Sequence, residues 1–178
     1  MKNVSFTLKS LFITGLVIGM ASFVQAQTVG AGAWMVGGQA GFSSEKTDGE
    51  DDAFNSLLIA PNIGYFVMDN LGIGLNLGFG RFSQGDLSST AIGIGPYARY
   101  YVYQGLFPQV GIMYNSVKFE DEDAVTATDI NLGIGYSFFV NNSIAIEPML
   151  GYTIGGGDDP KTNSFGLMIG VQAFLGRE

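Results

Sequence analysis

Apolar residues recur at every second position in eight separate stretches of this chain, the period of β-strands whose two faces meet different surroundings. These alternate rows, of five positions each, begin at Trp34, Leu57, Leu71, Ile92, Leu106, Ile130, Ile144 and Phe165 and end at Phe42, Tyr65, Phe79, Tyr100, Tyr114, Phe138, Tyr152 and Ala173. Every member is apolar except Gly38, and none is charged. The interleaved positions differ in kind. Fourteen are glycine, and the polar ones are Gln39, Asn62, Asn76, Arg99, Gln109, Asn131, Ser137, Glu147 and Gln172. Bulk on this second face comes mainly from Met35, Met113, Met149, Met168, Tyr97 and Phe107.

Which face is inside separates two eight-stranded architectures. A soluble barrel with the apolar face inward would present to water a glycine-rich surface carrying only Arg99 and Glu147 as charges, far below the roughly 25–35% charged positions of a soluble surface. With the apolar face outward, bulky side chains meet lipid while small and polar ones line a narrow lumen. The expected fold is therefore all-β, an antiparallel transmembrane up-and-down barrel of eight strands. The faces imply that Arg in place of Leu75 or Ile134 blocks assembly, whereas Ser in place of Asn76 or Gly135 is far milder.

Connection lengths alternate as this fold requires. Short turns are expected at Met68-Asp69-Asn70, Gln104-Gly105 and Val140-Asn141-Asn142, and longer polar loops at about 43–55, 83–89, 120–127 and 155–163. In outer-membrane barrels the short turns are periplasmic and the long loops extracellular. Aromatics then mark both bilayer boundaries, with Phe42, Phe79, Tyr114 and Tyr152 beside the long loops and Tyr65, Tyr100, Tyr136 and Phe138 beside the short turns. Pro61, Pro96, Pro108 and Pro148 stand on the apolar face inside strands, where a missing N–H predicts bulges or loosened pairing.

The first 26 residues belong to a different segment. Lys2 and Lys9 precede an apolar stretch from Leu11 to Val24 that ends at Val24-Gln25-Ala26, the pattern of a cleaved signal peptide and too short for a spanning helix of about 20 residues. Residues 27–178 form the barrel domain, and the chain is expected to be exported to the outer membrane of a Gram-negative bacterium. The whole sequence has no Cys and no His, and a formal net charge of −8. Lipoprotein anchoring, a Cys or His metal site and nucleic-acid binding by phosphate neutralisation are thereby excluded. No cofactor is expected.

The runs Pro61-Asn62-Ile63-Gly64-Tyr65-Phe66-Val67-Met68-Asp69-Asn70-Leu71-Gly72-Ile73-Gly74, Pro96-Tyr97-Ala98-Arg99-Tyr100-Tyr101 and Ile146-Glu147-Pro148-Met149-Leu150-Gly151-Tyr152 carry a resemblance. The chain resembles the small eight-stranded outer-membrane barrels related to outer membrane protein A and outer membrane protein X, in particular the stand-alone type common in Bacteroidota. That resemblance implies the fold and says little of activity. It also implies a passage through the barrel-assembly machinery, for which Phe174, displaced from the end by Leu175-Gly176-Arg177-Glu178, is the terminal aromatic available. The peptidoglycan-binding domain of outer membrane protein A has no counterpart after the eighth stretch.

Function has to be sought in lumen and loops. Lipid A-modifying barrels of comparable form rely on His with Ser, so no enzyme is expected. The preferred reading is a structural or surface-interaction protein, a monomer in lipid and lipopolysaccharide that displays acidic loops to a surface partner. Those loops hold Glu45, Asp48, Glu50, Asp51 and Asp52, then Glu120, Asp121, Glu122 and Asp123, and neither run has EF-hand spacing. The alternative is a narrow channel, or a binder of a small hydrophobic molecule in a lumen softened by methionines. Arg99 on the fourth strand and Glu147 on the seventh lie at matching depth, three strands apart across a narrow lumen. An isolated charge there is costly, so they are expected to form a salt bridge that plugs the barrel.

Overall fold

The computed structural model describes residues 29–46, 52–119, 123–156 and 163–177. The expected signal peptide lies outside the described residues, as do Asp48, Glu50, Asp51, Glu120, Asp121, Glu122, Asp158 and Asp159. Nine strand segments follow in chain order: β1 Trp34–Glu45, β2 Phe54–Met68, β3 Leu71–Gln84, β4 Leu87–Tyr100, β5 Leu106–Phe119, β6 Val125–Tyr136, β7 Phe138–Phe139, β8 Ile144–Ile154 and β9 Asn163–Leu175. All neighbours are antiparallel, in the order β6-β5-β4-β3-β2-β1-β9-β8-β7 with β6 also on β8, so the sheet closes on itself. Segments β6 and β7 are the two halves of one strand. Gly135↔Met149 and Phe138↔Ile146 continue a single register against β8, and the barrel has eight staves.

The interruption falls opposite Pro148, whose missing N–H removes a ladder bond to the sixth stave. The other prolines act alike. The β2–β3 ladder skips from Ile59↔Phe79 to Asn62↔Asn76 at Pro61, and the β4–β5 ladder skips from Ile94↔Tyr114 to Tyr97↔Gly111 at Pro96. At Pro108 the β4–β5 ladder stops at Arg99↔Gln109. Each proline stays paired with its other neighbour, as in Gly38↔Pro61, Leu75↔Pro96, Pro108↔Ile134 and Pro148↔Ile169. Loosened pairing is thus present at the prolines and bulges are not. The one register shift in β2–β3 lies between Phe66 and Met68, beside the turn at Asp69-Asn70.

Turn chemistry sets the short end. Asn70 has φ 66°, and Gln104 and Gly105 have φ 43° and 92°, the left-handed conformations a two-residue hairpin demands at both central positions. The long-loop end differs from the expectation. Strands continue through most of 83–89, leaving only Gly85-Asp86 between β3 and β4, and they also absorb residues 43–45, 54–55 and 125–127. Extensions of polar residues were read as loops because they lack apolar alternation. Their outward side chains are instead Ser44, Arg81, Ser83, Ser88, Thr90, Ser116, Lys118, Thr126 and Thr128, a polar collar above the apolar band.

Outward positions are exposed and apolar all round, among them Ile94, Leu75, Ile134 and Leu150, while alternate positions turn inward. Phe42, Phe79, Tyr114 and Tyr152 lie on this exterior at the collar's lower edge, and Tyr65, Tyr100, Tyr136 and Phe138 lie on it near the short turns. Tyr65 packs tilted against Trp34 with ring centroids 5.1 Å apart and Tyr136 against Phe138 at 4.5 Å, which half-covers the last two. Between the rows, eight rises of about 3.3 Å tilted by about 40° span about 20 Å, close to the height of a lipid-facing band.

Candidate functional site

The interior is built in two storeys. At the short-turn end Phe66, Tyr101, Phe107, Phe139 and Phe174 form a cluster of rings, with centroid separations from 5.1 Å for Phe139–Phe174 to 6.5 Å for Tyr101–Phe174. Val29 and Ala33 are fully buried with them. Residues 29–33 are tied beneath the barrel by hydrogen bonds from Asn70 N to Val29 O at 2.9 Å and from Ala31 N to Asp69 Oδ1 at 2.8 Å. The sequence pattern gave no hint of this closure, because those residues precede the first alternating row.

Phe174 faces this cluster at 1% exposure. The outward residue at that end of β9 is Leu175, so Phe174 is spent on closing the lumen and is not presented to the exterior.

Arg99 and Glu147 lie directly above the rings. The structure brings them together across the lumen, with Arg99 Nη1 donating to Glu147 Oε2 at 2.8 Å and each residue 5% exposed. The other carboxylate oxygen accepts from Ser137 Oγ at 2.5 Å and from Tyr101 Oη at 3.3 Å. Arg99 Nε donates to Gln109 Oε1 at 3.0 Å, and the guanidinium carbon lies 4.2 Å from the Phe107 ring centroid. A buried pair with further hydrogen bonds to both ions and an aromatic face beneath the cation offsets much of its desolvation. Ser137 reaches Glu147 beside the ladder gap left by Pro148.

Glycine makes room for the large side chains here. A Cβ on Gly135 would stand 2.5 Å from Phe107 Cζ, and one on Gly64 would stand 2.6 Å from Tyr97 Oη. Ser at Gly135 would therefore drive into the Phe107 ring, and the expectation of a far milder effect at this position is corrected. Tyr97 Oη is buried with no hydrogen-bond partner among the described residues.

The upper storey is open. A cavity of about 320 Å³ rests on Arg99, Glu147 and Phe107, and its wall is mixed, with carboxamides such as Asn62, Asn76 and Asn131 set among Met113, Met149, Met168 and glycines. Asn131 Oδ1 accepts from Thr153 Oγ1 at 2.7 Å, and Gln172 Nε2 donates to Asn62 Oδ1 at 2.8 Å. Asp129 is a third lumen charge that the sequence reading missed, since its row was ended at Ile130. It accepts from Asn115 Nδ2 at 2.7 Å and from Gly156 N at 3.3 Å. Among the described residues no group of three His, Cys, Asp or Glu side chains could hold a metal ion.

An eight-stave barrel whose sheet closes on itself, with an apolar exterior, a polar collar and a charged interior sealed at the short-turn end, is an integral protein of the bacterial outer membrane. The model of the outer membrane protein beta-barrel domain matches residues 13–175, and the chain belongs to that family. Solved structures share the fold at low identity. The outer membrane protein OprG of Pseudomonas aeruginosa is 15% identical, with 83% of this chain and 97% of that one covered at a TM-score of 0.47. The N-terminal β-barrel domain of OprF from the same organism is 16% identical, covering 85% and 100% at 0.46. Ail of Yersinia pestis is 16% identical, covering 82% and 99% at 0.45. No curated protein matches the chain.

Proposed function

We propose that this barrel is a closed scaffold with a structural or surface-interaction role, holding its collar and acidic loops outside the cell and conducting nothing through its axis. The observation that carries this reading is the seal at the short-turn end, where the Arg99–Glu147 pair sits on fully buried Phe66, Phe107 and Phe174. A solute crossing the barrel axially would have to displace both layers. The chain is read as exported through residues 1–26, assembled by the barrel-assembly machinery and monomeric in lipid and lipopolysaccharide. Its exterior aromatics from Phe42 to Tyr152 serve as two interfacial girdles, and the acidic loops meet a surface partner.

The reading is non-catalytic. The chain has no His. Glu147 is engaged by Arg99, Ser137 and Tyr101, and Asp129 by Asn115, which leaves neither lumen carboxylate placed as a free general base. The deciding experiment is conductance across a planar bilayer. Wild-type protein is expected to show no unitary steps, and stable unitary conductance by the wild-type barrel would overturn the reading.

A further inference from the structure

The barrel is not closed over its whole height. β1 and β9 pair only from Trp34↔Leu175 to Gly38↔Val171, although β1 runs on to Glu45 and β9 starts at Asn163. Over the same height β1 stays paired with β2 as far as Glu45↔Phe54, and β9 with β8 as far as Ile154↔Asn163. The unpaired edges thus face each other along one seam. There both faces of each strand are exposed. Gly41 and Gly166 would accept a Cβ with nothing within 4 Å, and Phe42 and Phe165 are each 72% exposed. Across the foot of the seam Gln39 Nε2 reaches Met168 Sδ at 3.3 Å, a weak sulfur acceptor.

From the height of Gly38 up to Phe42 this seam lies below the polar collar and opens onto the apolar exterior, through Ala40, Leu167 and Ile169. Unpaired backbone N–H and C=O groups facing hydrocarbon are costly, and they are tolerated where they border a wet or polar cavity. Gln39, Met168 and Gly170 border the seam and also line the cavity, whose polar groups include Asn62, Asn76 and Asn131. A route therefore runs sideways from the bilayer into the lumen, above the sealed floor.

We infer that the β1–β9 seam is a lateral port through which a single-chain amphipath with a small, uncharged, hydroxyl-bearing head enters the lumen. The head sits among Gln39, Asn62, Asn76 and Asn131, whose amides donate and accept. The acyl chain leaves through the seam along Ala40, Leu167 and Ile169. The charge pattern disfavours an anionic head, because Arg99 is already paired with Glu147 and Asp129 remains negative, and both Asp129 oxygens already accept, from Asn115 Nδ2 and Gly156 N, which leaves the neutral amides to hold an uncharged head. This port is independent of axial conduction, so the bilayer measurement above does not decide it.

The test uses the full barrel in phosphatidylcholine nanodiscs, with monolauroylglycerol as the probe. Hydrogen exchange comes first. The amides of Ala40 and Phe42, which aim at β9 without a partner there, are expected to exchange at least about tenfold faster than that of Val36, which aims at β9 within the paired length, and equal protection overturns the port. Methionine methyl spectra then locate the probe. Saturable shifts are expected at Met113, Met149 and Met168, with Met35, fully buried outside the cavity lining, and Met68 on the outer face unmoved; shifts confined to Met68, or none, overturn the ligand assignment.

The chain has no Cys, so Ala40→Cys with Ile169→Cys offers a lock across the seam. Oxidation is expected to abolish the lumen shifts and reduction to restore them. Undiminished shifts in the fully cross-linked protein overturn the route. Cysteines that fail to couple while exchange stays fast describe a seam standing open, and support it.

Discussion

Removing Glu147 tests the floor of the lumen most directly. In Glu147→Ala the guanidinium of Arg99, 5% exposed, keeps Gln109 at 3.0 Å and the Phe107 face but has no anion. Breaking a buried pair from one side costs about 3–5 kcal/mol, because the surviving charge stays desolvated and uncompensated. Arg99→Met alone strands the carboxylate, with Ser137 and Tyr101 still donating to it, and falls in the same range. The double variant Arg99→Met with Glu147→Leu strands no charge. Ser137 and Tyr101 already lie 3.0 Å apart, oxygen to oxygen, and can satisfy each other. Its cost is expected to fall short of the sum by at least about 2 kcal/mol, since apolar replacement of a whole buried pair is often neutral. Urea titration in lipid vesicles reads this out through Trp34, the chain's only tryptophan, which is 48% exposed on the lipid face. Strictly additive losses would refute the reasoning, showing two charges solvated separately.

Leu75→Arg and Ile134→Arg should each lose about 2–4 kcal/mol as midplane charges on the lipid face, whereas Asn76→Ser on the lumen wall should assemble normally; equal yields in the heat-modifiable band on detergent gels would reverse the faces. Phe174→Ala removes a ring at 1% exposure and should cost about 3–5 kcal/mol in the same urea assay, with a loss under about 1 kcal/mol contradicting the ring cluster. Gly135→Ala should cost about 1–3 kcal/mol by pushing Phe107 off its rotamer, and adding Phe107→Leu should recover most of it.

The membrane-facing half of the molecule was legible because lipid makes a single demand on every outward position, and period two records that demand strand by strand. Arg99 and Glu147 could be matched in depth by counting from turns whose residues, Gln104-Gly105 and Asn141-Asn142, name themselves. The upper strands were illegible for the complementary reason. Above the bilayer Arg81, Thr90, Lys118 and Thr128 meet water as a loop would, so a strand there leaves no apolar row, and Asp129 went unnoticed beyond the end of one. The floor was hidden differently. Tyr101 and Phe174 look like any strand-end aromatics, and only the closed ring of staves shows that they point at one another. The β1–β9 seam could not be read at all, since pairing between the first and last staves leaves no local mark.

Strand chirality joins the prolines to that seam. Within one stave the side chain and the backbone N–H alternate together, so all outward residues of that stave aim their hydrogen bonds at the same neighbour. Neighbouring staves run in opposite directions, and outward pairs are therefore hydrogen-bonded at every second interface only. The registers obey this. Pro61 loosens β2–β3, Pro96 and Pro108 loosen β4–β5, and Pro148 loosens β6–β8, while β1–β2, β3–β4, β5–β6 and β8–β9 run without a gap. The fourth interface of the loosened class is β9–β1, which has no proline on either strand and yet loses the most pairing. Proline therefore accounts for the short gaps at Pro61, Pro96 and Pro148, which close again in the same register, and for the early end of β4–β5 at Pro108, and it does not account for the seam. What distinguishes β1 just beyond Gly38 is Ala40 and Gly41, positions with little side-chain surface to hold a neighbour. Lateral opening at β9–β1 is thus set by an absence of packing, on the one interface of its class whose backbone donors are all intact.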